Sequence, residues 1–335
     1  MIELNKIYVE NCLDTMGKMD DDFIDLVITS PPYDNIRDYK GYSFDFENIA
    51  KELYRVVKPG GVIVWVVGDA IENKSETLTS FKQALYFKEQ CGFNIHDTMI
   101  YKKSGMRFPE RTRYYQNFEY MFVISKGTPK TIHLISDREN KWAGYTNFSQ
   151  NSVRKTDGSL VEIKDCKRYK KYGVKINIWE YNNGYGYGTK DKIAYTHPAT
   201  FPEQLVEDHI ISWTNEEDLV YDCFMGSGTT AKISILTNRK YVGSEISEEY
   251  VKIANQRISE LEAQRGSRLF ILKQKEIVRL IEEDEHRQKI EQAEKLMDSK
   301  KKWQPNIPIK QSKPQDVILP AAEEIRNAIL SVETE

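Results

Sequence analysis

Four consecutive residues, Ser30, Pro31, Pro32 and Tyr33, could carry chemistry, and they directly follow the apolar run of residues 23–29. Two adjacent prolines fix the backbone and remove two N–H donors, so that carbonyl oxygens, the Ser30 hydroxyl and the Tyr33 ring face a ligand. The amino group of an aromatic base donates two hydrogen bonds, which the Ser30 hydroxyl and the Pro31 carbonyl could both accept. This contact would draw the nitrogen toward tetrahedral geometry and free its lone pair for attack, while Tyr33 stacks on the base. A rigid turn without a chemical role is the alternative interpretation.

A glycine-rich stretch runs from Asp222 to Thr230 and reads Asp-Cys-Phe-Met-Gly-Ser-Gly-Thr-Thr. It follows a predicted strand and opens a predicted helix, where glycines allow a tight turn and a close approach of the backbone to a ligand. Glu245 lies 23 residues beyond Asp222, at the end of the next predicted strand. This spacing suits a carboxylate that accepts hydrogen bonds from ribose hydroxyls.

The same stretch argues against a phosphate-bearing ligand. No lysine follows the second glycine, as a P-loop requires, and the full three-glycine dinucleotide pattern is missing. An adenosine cofactor without phosphates fits best, which favours S-adenosyl-L-methionine, although a structural glycine turn is the alternative. The predicted cofactor-binding residues in this part of the chain are Asp222, Phe224, Gly226, Ser227, Gly228, Thr229, Thr230 and Glu245.

The elements that must position these residues alternate between strand and helix. Strand-type and helix-type runs follow one another at residues 6–10, 23–29, 46–57, 62–67, 200–212, 218–222, 226–237 and 241–245. Residues 62–67 are entirely apolar, as in the middle of a parallel sheet. Thr200 and Glu203 have the spacing of a capping box that opens a helix. The order predicts an α/β fold with a doubly wound, mostly parallel, Rossmann-like sheet.

Other parts of the chain depart from this alternation. Residues 95–101 and 118–125 are predicted strands that form an antiparallel pair at one edge of the sheet. Residues 75–91 are a predicted helix. We interpret the weakly periodic residues 130–195 as an inserted recognition region outside the sheet, with a flexible, aromatic-rich loop at 181–188. The predicted domains are a catalytic domain (1–129 and 196–258), a target-recognition region (130–195) and a helical C-terminal extension (259–335).

Charge is unevenly distributed along the 335 residues, whose net charge is only −3. The stretch from Tyr101 to Lys175 contains 17 lysines and arginines against 7 aspartates and glutamates, a net of +10. Such a basic block is typical of a face that contacts the phosphates of a nucleic acid, although a solvated basic surface is the alternative. The candidate DNA contacts are Arg107, Arg111, Arg113, Lys167, Arg168, Lys170 and Lys171.

Cysteine and histidine are sparse and scattered. The four cysteines include no Cys-x-x-Cys pair, and the five histidines are far apart in sequence, which favours neither disulfides nor a metal site. No apolar run approaches the roughly 18 residues of a membrane span, and the N-terminus lacks the pattern of a signal peptide. We therefore expect a cytoplasmic protein of bacterial, archaeal or phage type that associates with the nucleoid.

The two candidate motifs together resemble a known family. Ser-Pro-Pro-Tyr at residues 30–33 combined with Phe-x-Gly-x-Gly at residues 224–228 is similar to the DNA amino-methyltransferases that make N4-methylcytosine or N6-methyladenine. The first motif precedes the second by about 190 residues, with the basic block between them, which looks like the circularly permuted β group of these enzymes. Further similar stretches are Lys58–Gly61, Phe118–Gly127 and His197–Leu205. The resemblance covers residues 1 to about 258.

One stretch departs from the family pattern. The family often has Gly-Asp-Cys after its N-terminal strand, where the acidic residue approaches the adenine of the cofactor. This sequence has Glu10-Asn11-Cys12 instead. Asn11 can still donate or accept a hydrogen bond, so the resemblance adds it to the cofactor-binding candidates.

The resemblance implies a sequence-specific DNA methyltransferase that uses S-adenosyl-L-methionine, flips its target base and transfers the methyl group directly. Serine before Pro-Pro-Tyr favours the N4 position of cytosine, and the N6 position of adenine is the alternative. RNA or protein-glutamine methylation and a non-catalytic DNA-binding module are further alternatives. The expected partners are double-stranded DNA, a cognate restriction endonuclease in a restriction-modification system and a second copy of the chain, with no membrane.

Overall fold

The computed structural model describes residues 2–32, 44–105, 112–145, 151–163, 168–182, 184–197 and 200–266. All of them lie in one compact unit, Met1–Ser267. Tyr33, Arg107, Arg111, Lys167 and most of the predicted C-terminal extension lie outside the described residues.

Strands and helices alternate along the described ranges. The strands are β1 (Lys6–Val9), β2 (Ile24–Thr29), β3 (Val57–Val67), β4 (Ile71–Glu72), β5 (Ser75–Glu76), β6 (Asn94–Lys103), β7 (Phe118–Ser125), β8 (Arg138–Glu139), β9 (Asn151–Arg154), β10 (Leu160–Ile163), β11 (Tyr172–Gly173), β12 (Ile178–Tyr181), β13 (Leu219–Asp222) and β14 (Lys240–Glu245). The helices are α1 (Cys12–Met16), α2 (Phe46–Val56), α3 (Thr79–Glu89), α4 (Glu203–Trp213) and α5 (Thr229–Leu236), followed by α6 at residues 248–266. A short 3₁₀ helix, Lys192–Thr196, precedes α4.

Eight of the described strands form one sheet in the order β1-β14-β13-β2-β3-β7-β6-β12. All neighbouring pairs from β1 to β3 are parallel. Strand β7 is antiparallel to both β3 and β6, and β12 is parallel to β6. The predicted α/β fold with a doubly wound, mostly parallel sheet is therefore confirmed.

The centre of this sheet is buried on both faces, as the apolar run at residues 62–67 predicts. Ile63, Trp65 and Val67 belong to one core cluster, and Val62, Val64 and Val66 belong to another. Because successive side chains of a strand point to opposite faces, a strand covered on both sides must be apolar at every position.

The strand order reverses between β13 and β2. After β13 the chain crosses through α5 to β14 on one side, whereas after β2 it crosses through α2 to β3 on the other side. Ligands bind at such a switch point in open α/β sheets, outside the carboxyl ends of the strands. Both candidate motifs lie there, since Ser30 follows β2 and the glycine-rich stretch follows β13.

Part of the predicted recognition region belongs to the sheet, which corrects our expectation for residues 130–195. Strand β12 pairs with β6 and occupies the edge that the antiparallel pair β6–β7 was expected to form. Trp179 and Tyr181 of β12 are buried in the core. Four residues are too few for a periodicity signal, so the neighbouring strand rather than the local pattern determines this element.

Two further local expectations change. Residues 71–76 form the hairpin β4–β5, so α3 begins at Thr79 rather than at Ser75. The carboxylate of Asp69 accepts bonds from the backbone N–H of Ser80 at 2.9 Å and from its hydroxyl at 2.6 Å, which fixes the start of α3. Helix α6 continues to residue 266, beyond the predicted domain boundary at 258.

A buried histidine joins β12 to α4. His209 is fully buried, and its ring lies 4.6 Å from the ring of Trp179. Its Nδ1 accepts a hydrogen bond from Trp213 Nε1 at 3.3 Å, and Nε2 lies 3.4 Å from the sulfur of Met121. Burial lowers the pKa of His209 to about 3. The negative charge of Asp208 opposes this shift, and the positive charge of Lys175 adds to it.

Because His209 is buried as a neutral ring, we expect the free energy of unfolding to fall in mild acid. The unfolded chain protonates His209 near its ordinary pKa of about 6.5, whereas the folded protein keeps it neutral. Stability is therefore lost as the pH falls below about 6.5, and this residue alone costs about 2 kcal/mol at pH 5. Urea unfolding at pH 7.5 and pH 5 measures the change. His209→Gln should remove that increment, while His133→Gln, at an exposed position, should keep it; equal pH dependence in all three proteins would contradict the assignment.

Candidate functional site

A single buried carboxylate connects the two motifs. Asp222, the last residue of β13, is 2% exposed. Its Oδ1 accepts a hydrogen bond from Thr29 Oγ1 at 2.7 Å and from the backbone N–H of Phe224 at 3.0 Å. Its Oδ2 accepts one from Thr230 Oγ1 at 2.6 Å. Burial raises the pKa of Asp222, while the bonds from Thr230 and Thr29 oppose that rise.

These bonds fix the site from three sides. Thr29 ends β2 directly before Ser30, Phe224 opens the glycine-rich loop, and Thr230 lies in the first turn of α5. The carboxylate of Asp222 thus bonds to the protein itself, although the sequence predicts a direct cofactor contact for it. Thr230 is likewise fully buried. Both residues therefore position the loop, and the cofactor contacts predicted for them stay predictions.

The candidate catalytic stretch continues from the end of β2. Pro31 is buried, and Ser30 and Pro32 are half-buried. Tyr33 belongs to the stretch by sequence but lies outside the described residues. The chain is described again at Phe44, whose ring lies 5.7 Å from that of Phe224, edge to face. The residues around the candidate catalytic motif and the glycine-rich loop therefore lie side by side.

The two glycines of the loop are required by its backbone. Gly226 and Gly228 have φ angles of +51° and +80°, a conformation that residues with a Cβ rarely adopt. A Cβ on Gly228 would lie 2.6 Å from the Cβ of Ala254 in α6, and one on Gly226 would lie 3.0 Å from Nε2 of His197. Ala254 and His197 therefore pack closely against the loop on the side where its glycines lack a Cβ.

Glu245 stands at the carboxyl end of β14, where the sequence places a ribose-binding group. Its Oε2 accepts from the backbone N–H of Gly226 and its Oε1 from that of Ser247, each at 2.9 Å. Burial raises the pKa of its carboxyl group. The carboxylate and the loop backbone are therefore within hydrogen-bonding reach of each other, and both fit a nucleoside with vicinal hydroxyls at this end of the sheet.

Asn11 has a structural role in the described fold. It caps α1, and its side-chain oxygen accepts from the backbone N–H of Leu13 at 2.9 Å. Asparagine favours this position because its oxygen satisfies one of the unpaired N–H groups at the start of a helix. The cofactor contact of Asn11 stays a prediction.

Arg257 was not predicted from the sequence, yet it holds the glycine-rich loop. It is 1% exposed, and its Nη1 donates to the carbonyl of Ser227 at 2.6 Å and to the hydroxyls of Ser227 and Thr229 at 3.2 Å. Its Nε donates to Asp191, and its Nη2 donates to Glu203, both at 2.9 Å. One side chain of α6 therefore contacts the loop, the 3₁₀ region and the start of α4.

Lys232 completes this cluster from α5. Its Nζ lies 2.8 Å from both Asp191 and Glu203, so two positive and two negative side chains balance. Burial alone would raise the pKa of Asp191, but the bonds from Lys232 and Arg257 lower it below its ordinary value. Burying charge is favourable only when it is paired and hydrogen-bonded in this way.

The cluster explains why the capping box predicted at Thr200 does not form. Helix α4 begins at Glu203 with Pro202 as its N-cap and without a side-chain cap. The carboxylate of Glu203 accepts instead from Thr189, Lys232 and Arg257. Charged partners hold a carboxylate more strongly than a neutral backbone N–H does. Only the spacing of charged residues over about 70 positions could have revealed this cluster, and such spacing has no local pattern.

His197 is a second residue whose role the sequence alone did not assign. Its ring lies 4.2 Å from the ring of Tyr250, edge to face. The ring also lies on the side of Gly226 where a Cβ would stand. The residues around His197 resemble the family, and the structure shows that this stretch covers the glycine-rich loop.

The described candidates for DNA contact lie in two places. Arg113 donates to the carbonyl of Lys74 and lies 4.0 Å from Glu76, so it is bound to the β4–β5 hairpin. Arg168, Lys170 and Lys171 are exposed. They lie directly before β11, which pairs with β8 in a separate two-stranded sheet. Arg168 Nε donates to the carbonyl of Gly144 at 2.8 Å.

Exposed aromatic rings accompany these cations. Trp142 and Tyr145 are exposed, with ring centroids 5.9 Å apart, and Tyr169 bonds through its backbone N–H to the carbonyl of Tyr145. Lys171 lies 5.1 Å from the ring centre of Tyr172. Cations mixed with exposed rings suit a surface that contacts nucleic acid.

The described part of the chain contains neither a candidate metal site nor a membrane-spanning helix. No group of three or more His, Cys, Asp or Glu side chains there is arranged to hold a metal ion. Within the same residues, helices long and apolar enough to span a membrane are absent.

Comparison with known proteins gives a consistent result. A profile of the DNA methylase family matches residues 24–256. An orphan methyltransferase of Bacillus amyloliquefaciens, M.BamHII, is 59% identical over 235 residues, covering 70% of this chain and 88% of that protein. The Type II methyltransferase M.BglII of Bacillus subtilis is 27% identical over 272 residues, covering 76% and 69% of the two chains.

Solved structures share the fold. A cytosine-N4-specific DNA methyltransferase, PvuII, superposes with a TM-score of 0.56 at 20% identity, covering 75% of this chain and 85% of that one. A DNA modification methylase described as putative, from Thermus thermophilus and complexed with S-adenosyl-L-methionine, gives 0.50 at 19% identity, covering 76% and 93%. At this identity the likeness concerns the architecture of the sheet and helices.

The Arg257 cluster predicts a large effect of a conservative substitution. Arg257→Lys keeps the charge but loses the planar fork that reaches the loop and both carboxylates, so we expect the free energy of unfolding to fall by about 3 kcal/mol. Affinity for S-adenosyl-L-methionine, measured by calorimetry well below the melting temperature, should fall about tenfold or more.

Arg265→Lys is the matched control, because Arg265 lies on the same helix, is exposed and bonds to the carbonyl of Ile235. It should change stability by no more than about 0.5 kcal/mol. Indistinguishable behaviour of the two variants would show that Arg257 does not hold the loop.

Proposed function

This chain belongs to the DNA methylase family, and we propose that it methylates the N4 amino group of a cytosine within a short sequence of double-stranded DNA. It is an S-adenosyl-L-methionine-dependent DNA methyltransferase of the N4/N6 amino type. Its cofactor supplies an electrophilic methyl group on a sulfonium. The chain's own residues must hold the two reactants and exclude water between them.

Support for the cofactor site comes from the glycine-rich loop. Gly226 and Gly228 allow the tight turn between β13 and α5, and Glu245 offers a carboxylate to ribose hydroxyls. Phe224, which is half-buried beside the loop, offers an apolar surface to the adenosine part. Ser227 and Thr229 are bonded to Arg257, so we assign to both residues the shape of the loop.

Support for the amino-group site comes from the residues after β2. In this proposal the Ser30 hydroxyl and the Pro31 carbonyl accept the two N–H bonds of the base, which frees the nitrogen lone pair for attack. Tyr33 stacks on the base in this proposal. The observation that carries it is the 2.7 Å bond from Thr29 to Asp222, because that bond places the residue before Ser30 beside the cofactor loop. Positioning of this kind lowers the barrier by avoiding the entropy of a chance encounter.

The target base must leave the duplex to reach this site, since its amino group is otherwise paired. Flipping costs a few kcal/mol, and contacts to phosphates and to the unpaired base left in the duplex offset that cost. The exposed cations Arg168, Lys170 and Lys171 with their neighbouring rings fit the first role. Arg107, Arg111 and Lys167 stay predicted contacts.

Cytosine is preferred because serine precedes Pro-Pro-Tyr, which in the resembled family favours N4 methylation. The biological setting we propose is a restriction-modification system, because several relatives are named Type II methyltransferases. A cognate endonuclease and a dimer of this chain stay predictions.

Nucleoside mass spectrometry tests this function. Unmethylated plasmid is incubated with protein and S-adenosyl-L-methionine, digested and analysed, and we expect N4-methylcytosine. Ser30→Ala should lower the single-turnover rate about 100-fold, because it removes one preorganised polar contact that acts on the reacting nitrogen. Cofactor affinity should stay unchanged, since Ser30 is assigned to the base.

Ser212→Ala is the matched control, because the Ser212 hydroxyl is buried and donates to the carbonyl of Asp208 within its own helix. It should keep the full rate. N6-methyladenine as product would overturn the preference for cytosine and keep the site. If no methylated base forms on DNA of diverse sequence while the cofactor binds, the substrate is RNA or protein.

A further inference from the structure

Two of the most exposed tyrosines of the chain stand at the same edge of the sheet as Ser30. Strand β12 runs parallel to β6, so the chain leaves it at the carboxyl edge, where the site lies. In the segment that follows, residues 184–192, Tyr185 is 70% exposed and Tyr187 is 75% exposed. Both rings lie mostly in solvent and are accessible to a partner.

One tyrosine ties the described part of this segment together, where the sequence predicts a flexible loop at residues 181–188. The Tyr195 hydroxyl accepts from the backbone N–H of Gly186 at 2.8 Å and of Thr189 at 3.2 Å, and donates to the carbonyl of Thr189 at 2.8 Å. The ring of Tyr195 also packs on that of Tyr185 at 4.6 Å. The backbone on either side of Tyr187 is therefore bonded to Tyr195.

The segment exposes two lysines and pairs its one carboxylate. Asp191 has a side chain that is 24% exposed and bonds to Arg257 and Lys232. Lys190 and Lys192 on either side of it are exposed. Positive charge therefore dominates this surface, because the intervening aspartate is paired with two cations of the cluster.

We propose that residues 184–192 form a nucleic-acid contact, in which the ring of Tyr187 stacks on an unpaired DNA base and Lys190 and Lys192 contact phosphates. Open rings interleaved with cations bind single strands without sequence preference, because every base has a stacking face and every nucleotide a phosphate. The proposal rests on the proposed function, which requires a base to leave the duplex and so produces unpaired bases at this edge of the sheet.

Arg257 then links this surface to the cofactor loop. It bonds to Ser227 in the loop and to Asp191 in the segment, and Thr189 donates to Glu203 of the same cluster. The proposed stacking surface and the glycine-rich loop are therefore joined through one hydrogen-bonded cluster.

Fluorescence anisotropy of the full chain with a labelled single strand of mixed sequence, about 20 nucleotides long and at about 50 to 200 mM salt, tests the proposal. Tyr187→Leu removes the ring but keeps an apolar side chain, and its affinity should be about tenfold weaker at every salt concentration. Tyr187→Phe keeps the ring and should bind like the unmodified protein. The Lys190→Ala/Lys192→Ala double variant should lower the slope of log K against log salt by about 1.4.

The outcomes separate the surface from the reaction. Tyr187→Leu and the unmodified protein binding equally at all salt concentrations would overturn the proposal, and melting temperatures confirm that the exposed substitution leaves the fold intact. Weakening of Tyr187→Leu, together with no methylated base in the plasmid assay of the unmodified protein, would support the surface and reject the proposed reaction. A fully methylated plasmid, together with unchanged single-strand affinity of Tyr187→Leu, would reject the surface and support the proposed reaction.

Discussion

The structure depends on one buried carboxylate at the point where the strand order reverses. Asp222 ends β13 and accepts hydrogen bonds from Thr29 at the end of β2, from the N–H of Phe224 and from Thr230. Removing a carboxylate from water is costly unless such bonds replace its hydration. Because all three partners are needed to offset that cost, the end of β2, the glycine-rich loop and the start of α5 must occur together in one arrangement.

A second buried cluster supports the first from outside. Arg257 and Lys232 pair with Asp191 and Glu203 behind the loop, while Gly228 packs against Ala254 of the same helix as Arg257. Buried pairs of this kind add less to stability than apolar packing does, but breaking one leaves an uncompensated charge. The cluster therefore specifies which conformation the loop adopts, and it also pairs the one carboxylate of the segment at residues 184–192 with two cations.

Sequence reasoning reached the fold and the place of the site, because these follow from signals local to a few residues. The apolar run at 62–67, the proline pair after β2 and the glycine pair after β13 each fit one structural context, and their order along the chain gives the switch point. It missed β12, since a four-residue edge strand is determined by its neighbour β6. It also missed the protein partners of Glu203 and Asp222, because the partners of both carboxylates are distant in sequence and become neighbours only in the folded chain.

The claim that the Thr29–Asp222 bond joins the reacting halves of the site is tested most directly by a double-mutant cycle. Single-turnover methyl-transfer rates at saturating cofactor are compared for the unmodified protein, Thr29→Val, Asp222→Asn and the double variant, all close in shape. We predict a coupling energy of about 1–2 kcal/mol, with the double variant little slower than Asp222→Asn alone. Additive effects of the two substitutions would contradict the account, because they would mean that the two strand ends act independently.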